Sequence, residues 1–244
     1  MRRDQSGNVL FYILIGVALL AALSYAVSRT NRGSADSVSR ERTKIATTEI
    51  LEYADIIGNA VSQLRLRGIA DTQISFENEA VSGYENSRCA QDGCRVFALD
   101  GGGVSYAAPK SEWLDGSYSD EPHYGELYFS SSAMGLDKGQ NDRDDLIMFI
   151  PYLKKAVCVA VNEGLNIPLK VDATPSESKG PFKLGEPFTG EYSDLRDAYV
   201  SGDNTVGQSD ILSSFNAGCT KGTSGGGGMP QTGSYHFYKV LIAR

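Results

Sequence analysis

At 244 residues the chain is long enough for one large domain or two small ones, and its 41% hydrophobic and 22% charged content excludes a globally disordered polymer. A net charge of -7 and a pI near 4.9 disfavour nucleic-acid binding, because an acidic surface repels phosphate backbones. The short basic stretches, Arg40, Arg42 and Lys44 and then Arg65 and Arg67, are interleaved with acidic or apolar residues and form no patch. With 27 glycines and 13 tyrosines against one tryptophan, the composition suits a loop-rich, exported β domain.

The chain opens with a short polar, basic stretch, MRRDQSG, over 1–7. Residues 9–27 then run for 19 positions without a charge. As a helix rising 1.5 Å per residue they span roughly 28 Å, close to the hydrocarbon thickness of a bilayer. Arg2 and Arg3 precede the run and Arg29 and Arg32 follow it, so flanking charge does not set an orientation. The run is longer than the apolar region of a cleaved secretory signal and lacks its small-residue exit site.

Gly7, ending a basic leader directly before this apolar run, resembles the type IV prepilin signal. That resemblance implies cleavage by a prepilin peptidase between Gly7 and Asn8 and methylation of the new amino terminus. It also implies a single-pass protein of the bacterial inner membrane that packs against other pilin-like subunits in a type IV pilus or type II secretion system. Two positions differ from the family pattern: Asn8 stands where Phe is usual, and Tyr12 where a Glu is usual at the fifth mature position. The missing Glu resembles minor pseudopilins, which the family places at filament tips. Gly16, Ala18, Ala21 and Ala22 would permit close helix approach.

Beyond the apolar run, 29–36 is polar, with Gly33 a weak point for a helix. A second helical pattern covers 37–67, where Ile50, Ala54, Ile57, Val61 and Leu64 recur at alternating spacings of four and three, marking one apolar face. Gly68 ends it. The expected organisation is a leader over 1–7, a transmembrane helix over 8–28, a helical extension over 29–67 and an exported α+β domain over 68–244. The expected fold class is accordingly α+β, pilin-like: a long N-terminal helix continuing into an amphipathic helix that packs on an antiparallel sheet.

In that domain, 72–76 (TQISF), 95–99 (RVFAL), 103–107 (GVSYA) and 125–130 (GELYFS) read as strands between turn residues. The continuous apolar run 145–150 (DLIMFI) reads as a strand covered on both faces. Residues 151–164 read as a helix with Pro151 at its start and Gly164 at its end. Most of 165–199 and all of 222–233 read as loop, and 234–243 (SYHFYKVLIA) as a closing buried strand. Four cysteines allow three pairings. Cys89 with Cys94 closes a tight loop, and Cys158 with Cys219 then ties the helix to the loop before the last strand. A four-cysteine zinc site wants closely spaced pairs, which Cys158 and Cys219 do not form, and an even count behind an anchor favours disulfides in an oxidising periplasm.

Little in the chain reads as chemistry. His123 and His236 belong to no metal-ligand pattern. Ser224, in GTSGGGG, has glycine neighbours like a protease nucleophile, and His123 and Asp144 complete an order His, Asp, Ser. Neither lies in the surrounding motif such a triad needs. The oxygen-rich segment 137–145 lacks EF-hand spacing and carries Lys138 and Arg143, so an ordinary turn is favoured over a calcium site. The expectation is a non-enzymatic protein with no cofactor and no metal. Two readings stay open: a pilin-like or minor pseudopilin subunit, or a singly anchored periplasmic binding or sensing protein that does not polymerise.

Overall fold

The structure is a computed structural model that describes residues 7–133, 145–167, 187–192, 215–222 and 233–244, with the backbone alone at 7–9, 27–37 and 132–133. It comprises two compact units, Met1–Thr43 and Lys44–Arg244. A single helix, α1 (Gly7–Leu66), runs through the boundary, and its backbone stays helical past Gly33. One glycine costs a helix only about 1 kcal/mol, too little to break one that has favourable neighbours on both sides.

In the second unit the apolar stripe read from the sequence is the helix's buried face. Ile50, Ile57, Val61 and Leu64 are fully buried and Ala54 nearly so. The helix stops at Gly68, whose φ of 88° suits a residue without a Cβ. The Ile69 N–H donates to the Leu64 carbonyl at 3.1 Å and the Gly68 N–H to the Arg65 carbonyl at 2.9 Å. This is a Schellman ending, which satisfies carbonyls that a bare helix end leaves open.

The stripe packs on a four-stranded antiparallel sheet built from β1 (Tyr128–Ala133), β2 (Asp145–Leu153), β3 (Ala217–Lys221) and β4 (Tyr235–Ile242), in the order β1-β2-β4-β3. The domain is therefore α+β, as expected. Alternation along the central strands sorts their side chains into two layers. Leu146, Met148 and Ile150 of β2 and Phe237 and Leu241 of β4 join the helix stripe in one core. Tyr128, Ile147, Phe149, Tyr238 and Val240 form a separate cluster. All of β2 is buried, which is why its sequence reads as a continuous apolar run. Lys239 reaches from β4 to Asp55 of α1 at 2.7 Å.

Several expected elements take another form. The stretch 68–127 is irregular: 72–76, 95–99 and 103–107 are not strands, and a lone Ser75–Arg95 bridge is what remains of their pairing. Backbone bonds join Ser75 to Cys94 and Val96, and Arg95 to Gly102, and side-chain bonds add to them. Buried Asn86 donates to the carbonyls of Thr72 (3.0 Å) and Ile74 (2.8 Å), and Ser75 Oγ donates to the Tyr84 carbonyl (3.2 Å). The β1 strand begins at Tyr128, three residues later than its composition suggested. Pro151 lies in β2 rather than opening a helix, and the following helix, α2, is Lys155–Gly164. The β2–β4 register slips between Ile150 and Leu153, so Pro151 and Tyr152 face the single residue His236. Proline cannot donate to a ladder, and such a bulge is where a strand tolerates it.

Both cysteine pairings are present as disulfides. Cys89–Cys94 has Cα atoms 5.7 Å apart and Cys158–Cys219 5.4 Å, which leaves no cysteine free for zinc. Cys219 sits on β3, not in a loop. Asn162 of α2 completes the attachment: its Oδ1 accepts from the Cys219 N–H (2.8 Å) and its Nδ2 donates to the Cys219 carbonyl (3.0 Å). These bonds occupy the outer edge of β3, where unpaired backbone groups would otherwise invite another strand.

Candidate functional site

Three regions carry features beyond packing. The first is the N-terminal part of α1. Its described side chains cover 10–26, and the large apolar ones from Leu10 to Tyr25 are each 38–71% exposed. Exposure on every side of a helix is unusual for Leu, Ile, Phe and Val, which stay in water only singly or in small patches. Among the described residues no helix is long and apolar enough to cross a membrane; the described side chains here are fewer than the ~20 that a span requires. Gly7 begins the helical backbone and Asn8 lies in its first turn. Tyr12 is 65% exposed.

The second region is a cleft of about 220 Å³ between α1 and the segment 107–113. Glu49, Glu52, Tyr53 and Ile56 line it from the helix, and Ala107, Ala108, Lys110 and Trp113 from the opposite side. Helical spacing accounts for the first set, since 49, 52, 53 and 56 share a face that flanks the buried stripe. The opposite wall is pinned by Tyr53, whose hydroxyl donates to the Ser105 carbonyl (3.0 Å) and accepts from the Ala107 N–H (2.8 Å). Burial pushes this phenol above its ordinary pKa, and the bond from Ala107 partly offsets the rise. Lys110 Nζ donates to Glu49 Oε1 at 2.6 Å and stands 5.6 Å from the centre of the Trp113 ring. Glu49 Oε2 and the Trp113 indole nitrogen are buried atoms without a hydrogen-bond partner among the described residues.

The third region is a buried polar network around the β2 bulge. His236 is fully buried; its Nδ1 accepts from the Tyr152 N–H (3.2 Å) and its Nε2 lies 2.7 Å from Ser234 Oγ. An Nδ1 that accepts fixes the proton on Nε2, so the imidazole donates to the serine. A general base needs the reverse tautomer, with a free Nε2 lone pair facing the hydroxyl. Burial also lowers the His236 pKa to about 3, so the ring stays neutral. This pair is therefore structural. It holds Tyr152, a non-glycine residue at φ 59°, in a conformation that costs of order 1–3 kcal/mol unless its surroundings fix it. The Tyr152 ring stacks on Tyr118 at 5.3 Å, and its carbonyl accepts from the Asp115 N–H at 2.8 Å. Burial, with Glu121 and Tyr118 nearby, pushes the Tyr152 phenol up to about 12.

The residues weighed as chemistry are not brought together. His123 bonds to Glu126 at 3.1 Å and packs against Tyr128, while Ser224, Asp144 and the segment 137–144 lie outside the described residues. Among the described residues, no group of three or more His, Cys, Asp or Glu is placed to hold a metal ion. The cleft escaped sequence reading because Glu49 and Glu52 look like the solvated side of an amphipathic helix. The lone Trp113, in a polar loop, was the signal available. No protein-family model matches the chain, and no curated protein or solved structure matches it.

Proposed function

We propose that the protein is a pilin-like or minor pseudopilin subunit, anchored in the bacterial inner membrane by the N-terminal part of α1 and presenting its disulfide-bonded domain in the periplasm or on a filament. One observation carries the reading: a continuous 60-residue helix, Gly7–Leu66, changes from apolar on every side to amphipathic along its length. An all-round apolar helix is stable only in an apolar surrounding. The 19 uncharged residues of 9–27 match a bilayer in length. From Ala46 onward the same helix has a single buried face laid on an antiparallel sheet. Lipid surrounds the apolar part before assembly and neighbouring subunits afterwards, with Gly16, Ala18, Ala21 and Ala22 allowing backbones to approach. The prepilin peptidase acts at Gly7–Asn8. With Tyr12 in place of a buried acid, the subunit has no carboxylate at that position to neutralise a neighbour's terminal amine, which fits a terminal better than a repeating position.

Replacing Gly7 and pairing cysteines introduced at Leu14 and Leu20 tests this reading. The unmodified leader should be removed in membranes, Gly7→Val should retain it, and oxidation should cross-link processed copies or a second pilin-like chain. A protein released from membranes by alkaline carbonate, with no cross-linking, would contradict it. The alternative of a singly anchored binding or sensing protein is favoured by the cleft between Tyr53 and Trp113; it predicts anchoring without cross-linking and without sensitivity to Gly7.

A further inference from the structure

We infer that the cleft between α1 and segment 107–113 receives an arginine or lysine side chain presented by a segment of a partner protein. Its charge is unbalanced: Glu49 and Glu52 face one cation, Lys110. Glu52 is exposed and forms no ion pair among the described residues, and Glu49 retains a buried oxygen without a partner. Lys110 shows which chemistry the cleft accepts, an ammonium held at 2.6 Å by a carboxylate beside an indole ring. Carboxylates that fix a cation near an aromatic face combine charge-assisted bonding with cation–π attraction.

Two features point to a peptide rather than a free amine. The cleft, at about 220 Å³, is smaller than the 300–1,000 Å³ of ordinary small-molecule sites and suits one side chain. Its rim is apolar, with Ile56 44% exposed and Ala107 and Ala108 exposed beside it, which residues flanking the cation would cover. The walls are preformed, since Tyr53 holds both sides of the mouth by two hydrogen bonds. Lys110, about half exposed, can swing out when the incoming cation replaces it.

Trp113 is the only tryptophan, so its fluorescence in the full chain in detergent micelles reports this cleft alone. The probes are the blocked peptide acetyl-Leu-Arg-Leu-amide, its Leu-Gln-Leu counterpart, and agmatine as a free guanidinium. The arginine peptide should give a saturable change that the glutamine peptide does not. Agmatine should bind at least fivefold more weakly than the arginine peptide. Glu52→Gln should weaken the arginine peptide at least fivefold, and Lys110→Ala, which removes the competing ammonium, should tighten it about fivefold. Both substitutions are at exposed positions, and circular dichroism checks that the fold is kept. No saturable change in either the wild type or Lys110→Ala, or equal binding of the two peptides, overturns the proposal. Agmatine matching the arginine peptide would instead make this a free-amine site and also overturn it.

Discussion

Acidification from pH 7 to pH 5 should weaken the fold through His236, and the size of the loss follows from its surroundings. The imidazole is fully buried between Ser234 and the Tyr152 N–H, and its pKa falls from 6.5 to about 3 because burial disfavours the charged ring. Above pH 6.5 the ring is neutral whether the chain is folded or not, and stability is fully present. As pH falls below 6.5 the unfolded chain takes up a proton that the native state refuses, so stability declines until about pH 3. Between pH 7 and pH 5 the loss is about 2 kcal/mol, at 1.36 kcal/mol per unit of pH over the range where only the unfolded state titrates. At an m-value of about 2 kcal/mol per M this lowers the urea midpoint by about 1 M. Urea titration at both pH values, followed by Trp113, which is 5% exposed, measures it. His236→Gln retains an acceptor and a donor without a titrating charge, and every other ionisable group is common to both proteins. The wild type should therefore lose about 1 M more than the variant. Equal losses would refute a neutral, buried His236 as a source of acid sensitivity.

The remaining expectations concern how α2 and the irregular segment are held. Replacing Cys158 and Cys219 with Ala opens a loop of sequence separation 61 and should cost about 4 kcal/mol, whereas opening the five-residue separation of Cys89–Cys94 should cost about 2; paired urea midpoints give the order. Asn162→Ala leaves the Cys219 N–H and carbonyl unpaired at a buried edge, with an expected loss of about 2–4 kcal/mol for two bonds and faster amide exchange at Cys219. Gly190, at φ 90°, has no room for a Cβ against the Thr72 carbonyl and Asn86, so Gly190→Ala should lower the midpoint by more than Asn162→Ala, read in the same titration.

The parts of the fold legible in the sequence are those where one periodicity and one environment coincide. The stripe from Ile50 to Leu64 repeats at helical spacing and meets one layer of the sheet, and 146–150 is apolar throughout because both faces of β2 are covered. The edge strand β3, AGCTK, was not legible. Its residues have no strong strand preference, and it is extended because β4, the Cys158 disulfide and Asn162 hold it so, all through partners distant in sequence. The alternation in 72–76 and 103–107 misled for the opposite reason. Residues such as Ile74 and Phe76 do point into the core, but the pairing stops at the single Ser75–Arg95 bridge, and the Thr72 and Ile74 carbonyls accept from the Asn86 side chain instead of a ladder. Pro151 read as a helix start because nothing local reveals a bulge opposite His236. The cleft depends on the same kind of non-local placement, as Lys110 and Glu49 are 61 residues apart.

The central claim, a prepilin-like subunit rather than a plain anchor, rests on Gly7 and on the apolar helix that begins there. Mass spectrometry of the amino-terminal peptide of protein purified from membranes tests it most directly. A mature terminus at Asn8 carrying one methyl group is the expected result. An intact Met1, or a terminus near Ser28, would contradict the account.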